Sequence, residues 1–333
     1  MFYIDKYRPN SYEAFSYNND LVQLLKGMNN NSEMPHMIFY GSSGVGKKTL
    51  INIFLQNIFG PQVNNIQEIP IQVKKSGGTT IPVLIKKSLH HIIYESTGTG
   101  HDKHVIQEII KTFMAPSAIK FKLNFKVILI YNSHDLQSFT QSALRRTMEK
   151  YSSVCRFIMV TNSLLKIQEP IRSRCVCARV EAPSNDEMFK ILLNISTKEE
   201  ICFRSHVLSN VVKKANGDIR KALWLLTYTQ LGIDDNNQYE QFIEKIIDLL
   251  LDKSCFVIQQ LKVLVYNVLR TNIQLSQIIN DIIKELCKKN IPEEKKLVIF
   301  TLAAIYDNNN SYGRRPALHL EPFLYNIVKQ LHT

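Results

Sequence analysis

Residues 36–49, HMIFYGSSGVGKKT, restrict this chain more than any other stretch. A short apolar run ends in glycine and reads as a buried strand. KTLINIFLQNIF (residues 48–59) follows as a helix, with Leu50, Ile53, Phe54 and Ile58 along one side. Between strand and helix, Gly41, Gly46 and Lys47 occupy the positions of G-x-x-x-x-G-K-[ST]. Such a loop turns backbone N–H groups inward and makes an anion cradle at a helix N-terminus. FKVILIY (125–131) and CRFIMVTN (155–162) are further apolar strands. QSFTQSALRRTMEKY lies between them and is helical by the spacing of Phe139, Ala143, Leu144 and Met148. Strands separated by helices predict an α/β fold with a parallel sheet covered on both faces. Its ligands bind beyond the carboxyl ends of the strands.

The loop departs from its pattern at one point. The residue after Lys47 should carry a hydroxyl for Mg²⁺; it is Lys48, and Thr49 arrives one position late. A metal-dependent hydrolase also needs an acid at the end of a neighbouring strand. KVILI (126–130) is followed instead by Tyr131, Asn132, Ser133 and His134, and Asp135 comes only past the strand end. The positive charge of Lys48 repels a metal and partly stands in for it. The expectation is a site that holds ATP or ADP structurally, without Mg²⁺ of its own and without useful hydrolysis.

Elsewhere the pattern changes twice. Residues 60–104 are less regular; VKKSGGTTIPVLIKK (73–87) suggests an inserted hairpin turning at Gly77–Gly78. From about residue 183 the chain reads as helical. Ser184 and Glu187 form a capping box ahead of MFKILLNI. After the polar GIDDNNQ (232–238), Ile243, Ile246, Ile247 and Leu250 share one helix face, and Ile278, Ile279, Ile282, Ile283 and Leu286 another. Pro292 opens a further helix and Pro316 precedes the last. This part carries no chemical motif, and packing or oligomerisation is its simplest role. Lys and Arg number 41 against 29 Asp and Glu, a net charge of +12, which favours an anionic partner, most commonly nucleic acid. The six cysteines form no C-x-x-C pair, no leader-like segment opens the chain and no apolar run spans a bilayer. A cytosolic or nuclear protein is expected.

Four further motifs make a family visible. YIDKYRP (3–9) resembles the W-V-x-K-Y-R-P segment that opens clamp-loader ATPases, with Tyr3 in place of Trp. ALRRTMEKYSSVCRFIMVTNS (143–163) resembles their helix and sensor strand, PIRSRC (170–175) their S-R-C motif, and GDIRKAL (217–223) their second sensor. In order and spacing these run through nearly the whole chain. The chain resembles a small subunit of replication factor C, the eukaryotic clamp loader of the AAA+ superfamily. Its loop and VIQEIIKTF (105–113) are similar to those of the small subunit whose own nucleotide site is degenerate.

The resemblance implies a RecA-like AAA+ nucleotide-binding domain over 1–165, a small helical lid over 166–232 and an all-α collar over 233–333 that joins subunits into a ring. It implies that Tyr7, Arg8 and Pro9 line an adenine pocket. Gly44, Val45, Gly46, Lys47, Lys48 and Thr49 would hold phosphates, with Asn162 at the first sensor and Arg220 at the second. Arg174 would reach a neighbour's ATP as an arginine finger. Lys103, with His104 and Lys111 behind it, would touch DNA phosphates without reading bases. The implied partners are the other replication factor C subunits, the sliding clamp and primer-template DNA, in the nucleus and with no membrane. Read singly, these residues have plainer accounts: Tyr7 in a core, Asn162 in a strand-end turn, Arg220 paired with Asp218, Arg174 bonded to a carboxylate of its own surface, Lys103 on a solvated face. A self-sufficient AAA+ ATPase, a nucleotide fold kept as scaffold, and an alternative loader of checkpoint type are the competing readings.

Overall fold

The computed structural model describes residues 2–28, 34–74, 80–98, 101–114, 125–201, 203–232, 238–252, 257–271, 273–289, 291–312 and 315–332. The chain divides into two compact units, Met1–Ile233 and Asp234–Thr333. The elements of the first are α1 (Tyr3–Lys6), α2 (Asn19–Met28), β1 (His36–Tyr40), α3 (Lys47–Phe59), β2 (Gln67–Lys74), β3 (Thr80–Lys87), β4 (His91–Glu95), α4 (Asp102–Met114), β5 (Lys126–Tyr131), α5 (Ser138–Lys150), β6 (Cys155–Thr161), α6 (Glu169–Arg172), β7 (Cys175–Arg179), α7 (Asn185–Lys198), α8 (Ser205–Ala215) and α9 (Ile219–Gln230).

The strands make one seven-stranded sheet in the order β2-β3-β4-β5-β6-β1-β7. From β4 to β7 all neighbours are parallel. Successive side chains of a strand point to opposite faces, and the apolar strands feed two cores accordingly. Met37, Phe39, Val127, Leu129, Ile158 and Val160 join Leu50 and Phe54 of α3. Ile38, Ile128, Ile130, Phe157 and Met159 join Ile109 of α4 and Leu144 and Met148 of α5. A strand covered on both faces must be apolar at every position, which is why β1, β5 and β6 read as continuous apolar runs.

The irregular stretch after α3 is an antiparallel hairpin, β2 against β3, with Ile69 opposite Ile85. It extends the main sheet, because β3 also pairs antiparallel with β4. The Gly77–Gly78 turn lies outside the described residues. Three sequence expectations need correction. The helix after the loop buries Ile51 and Leu55 as well as Leu50, Ile53 and Phe54, a wider arc than one stripe. Phe139 is 68% exposed, since it stands in the first turn of α5 and Leu136 covers the core there. The boundary at 165 falls inside the α/β layer, because β7 pairs with β1 from His36↔Cys175 to Tyr40↔Arg179. The helical part of this unit therefore starts at α7. There the Ser184 hydroxyl accepts the Glu187 N–H at 3.2 Å and Glu187 accepts the Ser184 N–H at 2.8 Å, closing the capping box.

The second unit holds α10 (Gln238–Leu251), α11 (Val257–Leu269), α12 (Leu275–Lys288), α13 (Glu293–Tyr312) and α14 (Ala317–His332). Its core contains Ile243, Ile246, Ile247, Leu250, Ile278, Ile279, Ile282 and Leu286, with Ile283 half-buried beside them. Pro292 and Pro316 directly precede α13 and α14, where a missing N–H costs a helix nothing.

Candidate functional site

The loop between β1 and α3 runs along the carboxyl edge of the parallel sheet. Gly41, Gly44 and Gly46 have φ of +153°, +73° and +83°, conformations that L side chains rarely adopt. Gly44 also has no room for a Cβ, which would lie 1.9 Å from Oδ1 of Asp218. Lys47, at the start of α3, folds back into the loop. Its ammonium donates to the carbonyls of Gly41 at 2.7 Å and Ser42 at 2.6 Å and to Oδ1 of Asn162 at 2.9 Å. Its pKa is lowered to about 8, by burial first and then by the Arg220 cation, with the Asp218 carboxylate offsetting part of both.

A cleft of about 710 Å³ opens over this loop. Tyr7, Arg8, Pro9, Gly44, Val45, Gly46, Lys47, Lys48, Thr49, Asn162 and Arg220 all line it, although they come from four distant parts of the chain. Apolar side chains of α7 and α9, Ile191, Ile195, Ile219 and Leu223, complete the lining. Sequence reasoning missed these, and missed Tyr17, whose hydroxyl donates to the Val45 carbonyl at 2.9 Å and braces the loop. Asp218 does not pair with Arg220 in the way a solvated-helix reading expects. It caps α9, accepting the Lys221 N–H at 3.0 Å; its position ahead of IRKAL was the signal.

A phosphate loop of this kind implies Mg²⁺, and the donors present do not fit one. Lys48 stretches from the loop across the end of β5, its ammonium 4.2 Å from the Tyr131 ring centre and 2.8 Å from Oε1 of Glu95 at the end of β4. A cation paired with a carboxylate thus stands beside the loop, where its charge opposes a second cation. Glu95, which sequence reasoning passed over, is committed to Lys48. Tyr131, where an acid is needed, stays a neutral phenol: burial first, then the Glu95 charge, push it up to about 12. Asn132 lines the cleft in a left-handed conformation, and Asp135 lies in the next turn, outside the lining. Among the described residues, no cluster of three or more His, Cys, Asp or Glu side chains is placed to hold a metal.

Arg174 stands apart from this cleft. It follows α6, and its guanidinium is held 2.6 Å from Oε1 of Glu149 on α5 while donating to the Pro170 carbonyl at 2.7 Å. The plainer reading of Arg174, a carboxylate partner on its own surface, is therefore present in the folded chain. The expected DNA residues divide. Lys103 and Lys111 line a groove of about 500 Å³ between α4 and α5, together with Arg146 and Lys150. The Lys103 ammonium lies 4.1 Å from the ring centre of exposed Phe139, and Lys111 is paired with Glu108 at 2.7 Å. His104 lines a different groove, with His101 and Lys86, because it sits one residue on from Lys103 and so about 100° round the helix.

Comparison with known proteins follows the whole chain. A replication factor C small subunit of Acanthamoeba polyphaga mimivirus is 33% identical over 339 residues, covering 99% of this chain and 91% of that one. The chain belongs to the replication factor C small-subunit family. Replication factor C subunit 3 of Arabidopsis thaliana is 32% identical, covering 97% of this chain and 96% of its own. Subunit 5 of Saccharomyces cerevisiae is 28% identical, covering 98% of each. The model of the family described as DNA polymerase III, delta subunit, matches residues 17–184. Among solved structures, a Thermotoga maritima RuvB mutant superposes with a TM-score of 0.51 at 14% identity, covering 73% of this chain and 80% of that one. Another superposes at 0.50 and 13% identity over 96% and 91%. These likenesses are of fold, and the fold is that of AAA+ proteins. In this replication factor C small subunit, the glycine loop lines the cleft and Lys48 lies over the Tyr131 ring at the end of β5.

Proposed function

We propose that this chain is the clamp-loader subunit that holds an adenine nucleotide without turning it over and completes a neighbour's ATP site with Arg174. The observation that carries the reading is the cleft itself. The expected phosphate and base contacts line one cavity, and the Lys48–Glu95 ion pair beside the loop supports a site without Mg²⁺ of its own. The nucleotide is ATP or ADP, held for structure. In the hetero-oligomer, loading of the sliding clamp onto primer-template DNA depends on the neighbours' hydrolysis. The basic groove between α4 and α5 supports contact with DNA phosphates, which needs cations and no base readers.

The isolated chain is expected to bind ADP and ATP in equilibrium dialysis. Ligand at a hundredfold its Kd stabilises the native state by about 2.7 kcal/mol, readable as a higher melting temperature. ATPase activity is expected to stay at the level of a Lys47→Ala control. Robust Mg²⁺-dependent turnover that Lys47→Ala abolishes would instead favour a self-sufficient ATPase. Retention of neither nucleotide at millimolar concentration would remove the reading.

Affinity is also expected to depend on pH, through Lys47. A lysine whose folded pKa is lowered to about 8 from 10.5 binds fewer protons folded than unfolded between those values. The cost of burying its charge is therefore present below about pH 8 and relieved as pH rises towards 10.5. Phosphate has the opposite demand, since it needs the ammonium. ADP affinity should fall as pH rises from 7 through about 8 to 9.5, while the apo chain gains a stabilising contribution from this group. Isothermal titration and urea melts across that window test both signs; ADP affinity that rises with pH would contradict the role of Lys47.

A further inference from the structure

The N-terminal segment is fastened to the helical part of its own unit, and the fastening converges on one carboxylate. Glu199 caps the C-terminus of α7, its N–H donating to the Ile195 carbonyl at 3.0 Å. Its side chain accepts the Tyr7 hydroxyl and lies 2.6 Å from the Lys6 ammonium. These two donors, Lys6 first, hold the Glu199 carboxyl below its ordinary range. The Lys198 ammonium lies 5.8 Å from the centre of the Tyr7 ring, and Tyr3 packs on that ring at 5.9 Å between centroids. Further along the segment, the Tyr3 hydroxyl bonds Gln230, and Phe2 packs against Trp224 at 4.9 Å, both on α9. Tyr7, Lys6 and Lys198 line the nucleotide cleft, and Glu199 does not.

We propose that Glu199 is a positioning residue for the base of the nucleotide: it fixes the Tyr7 ring as a wall of the cleft and ties that wall to α7. The inference rests on the reading of the cleft as a nucleotide site and deepens it. The phosphate end is held separately. Lys47 is oriented by Gly41, Ser42 and Asn162 rather than by Glu199 or its donors. Charge at the loop therefore does not depend on Glu199, whereas stacking of a purine on the Tyr7 side of the cleft does. A flat aromatic wall contributes to affinity only while its orientation is set beforehand, because ordering it on binding costs entropy.

The experiment compares ADP with inorganic tripolyphosphate, which has the charge and no base, on the full chain. Glu199→Ala is expected to weaken ADP roughly tenfold, the scale of one hydrogen bond to a charged group, and to leave tripolyphosphate unchanged. Tyr7→Phe keeps the ring and loses the hydroxyl, so it should reproduce that loss, and the two changes together should cost no more than either alone. Glu199→Gln keeps an acceptor for Tyr7 and should stay within about threefold of wild type for the same reason. Should Glu199→Ala fail to fold, Tyr7→Phe gives the same reading. ADP binding unchanged in both variants overturns the assignment alone. Equal losses for ADP and tripolyphosphate overturn it in favour of general damage to the cleft. Tripolyphosphate that does not bind the wild type overturns it by removing the independence of the phosphate end. A wild type that binds neither ligand defeats the nucleotide reading and this inference together.

Discussion

Arg174→Ala, in a reconstituted complex, is expected to silence one neighbouring ATP site while the complex still assembles. An arginine finger stabilises charge that develops in the transition state and is worth ~10³-fold or more in rate. If Arg174 acts as proposed, only the site that receives it loses it, so total ATPase should fall by that site's share and clamp loading should fall with it. Nucleotide retained in this subunit's own cleft should not change, because Arg174 does not line it. Folding should not suffer either. The pair with Glu149 is partly exposed, and solvent screening leaves such pairs little net stability. In the folded chain Glu149 and the Pro170 carbonyl hold the guanidinium in one place, so a neighbour's γ-phosphate would find it positioned and would compete with Glu149 for it. Arg174→Lys should not rescue, since an ammonium lacks the planar fork. Normal DNA- and clamp-stimulated ATPase in an intact mutant complex would mean that Arg174 is only the surface ion pair visible in the single chain.

Gly41→Ala should destabilise the first unit by several kcal/mol. Two costs add. A φ of +153° is strained for any L side chain, at about 1–3 kcal/mol. The new Cβ would also lie 2.1 Å from the Val180 carbonyl oxygen, and forced overpacking costs about 1–3 kcal/mol. Val180 cannot yield cheaply, because its N–H donates to the Tyr40 carbonyl at 2.8 Å and continues the β1–β7 ladder. Gly27 supplies the control. It lies in α2, and a Cβ there meets nothing within 4 Å. Gly27→Ala should stabilise by up to about 1 kcal/mol through helix propensity. Urea midpoints of the two variants should move in opposite directions; a Gly41→Ala protein with the wild-type midpoint would show that the junction of loop and β7 is slack.

The legible parts of this protein were those whose signal is local. β1, β5 and β6 announce themselves because a strand buried on both faces has to be apolar throughout, and the phosphate loop because its turns demand glycine at fixed offsets. β4 and β7 were missed: HIIYE is short and follows a hairpin, and CVCAR, at the sheet edge, is only partly buried and ends in a charge. Phe139 misled in the other direction, since helical spacing says which residues share a face but not where a helix begins to be covered. His104 was grouped with Lys103 by adjacency in sequence, and one step along a helix turned it into another groove.

The sequence by itself determined the parallel α/β core, the helical second unit, the glycine loop with Lys47, and a lysine and a tyrosine at positions 48 and 131. Each follows from residue type and spacing within a few turns of chain. Tertiary structure alone decided which charges meet. Lys48 with Glu95, Arg174 with Glu149, Asp218 against Gly44, and Lys6 and Tyr7 on Glu199 join residues 25 to 193 positions apart. A charged side chain on a surface carries no periodic signal and fits many partners equally well. Its partner is selected only when strands and helices have packed, because Coulomb attraction and hydrogen bonding act over a few ångströms and the sheet order sets which ends come that close.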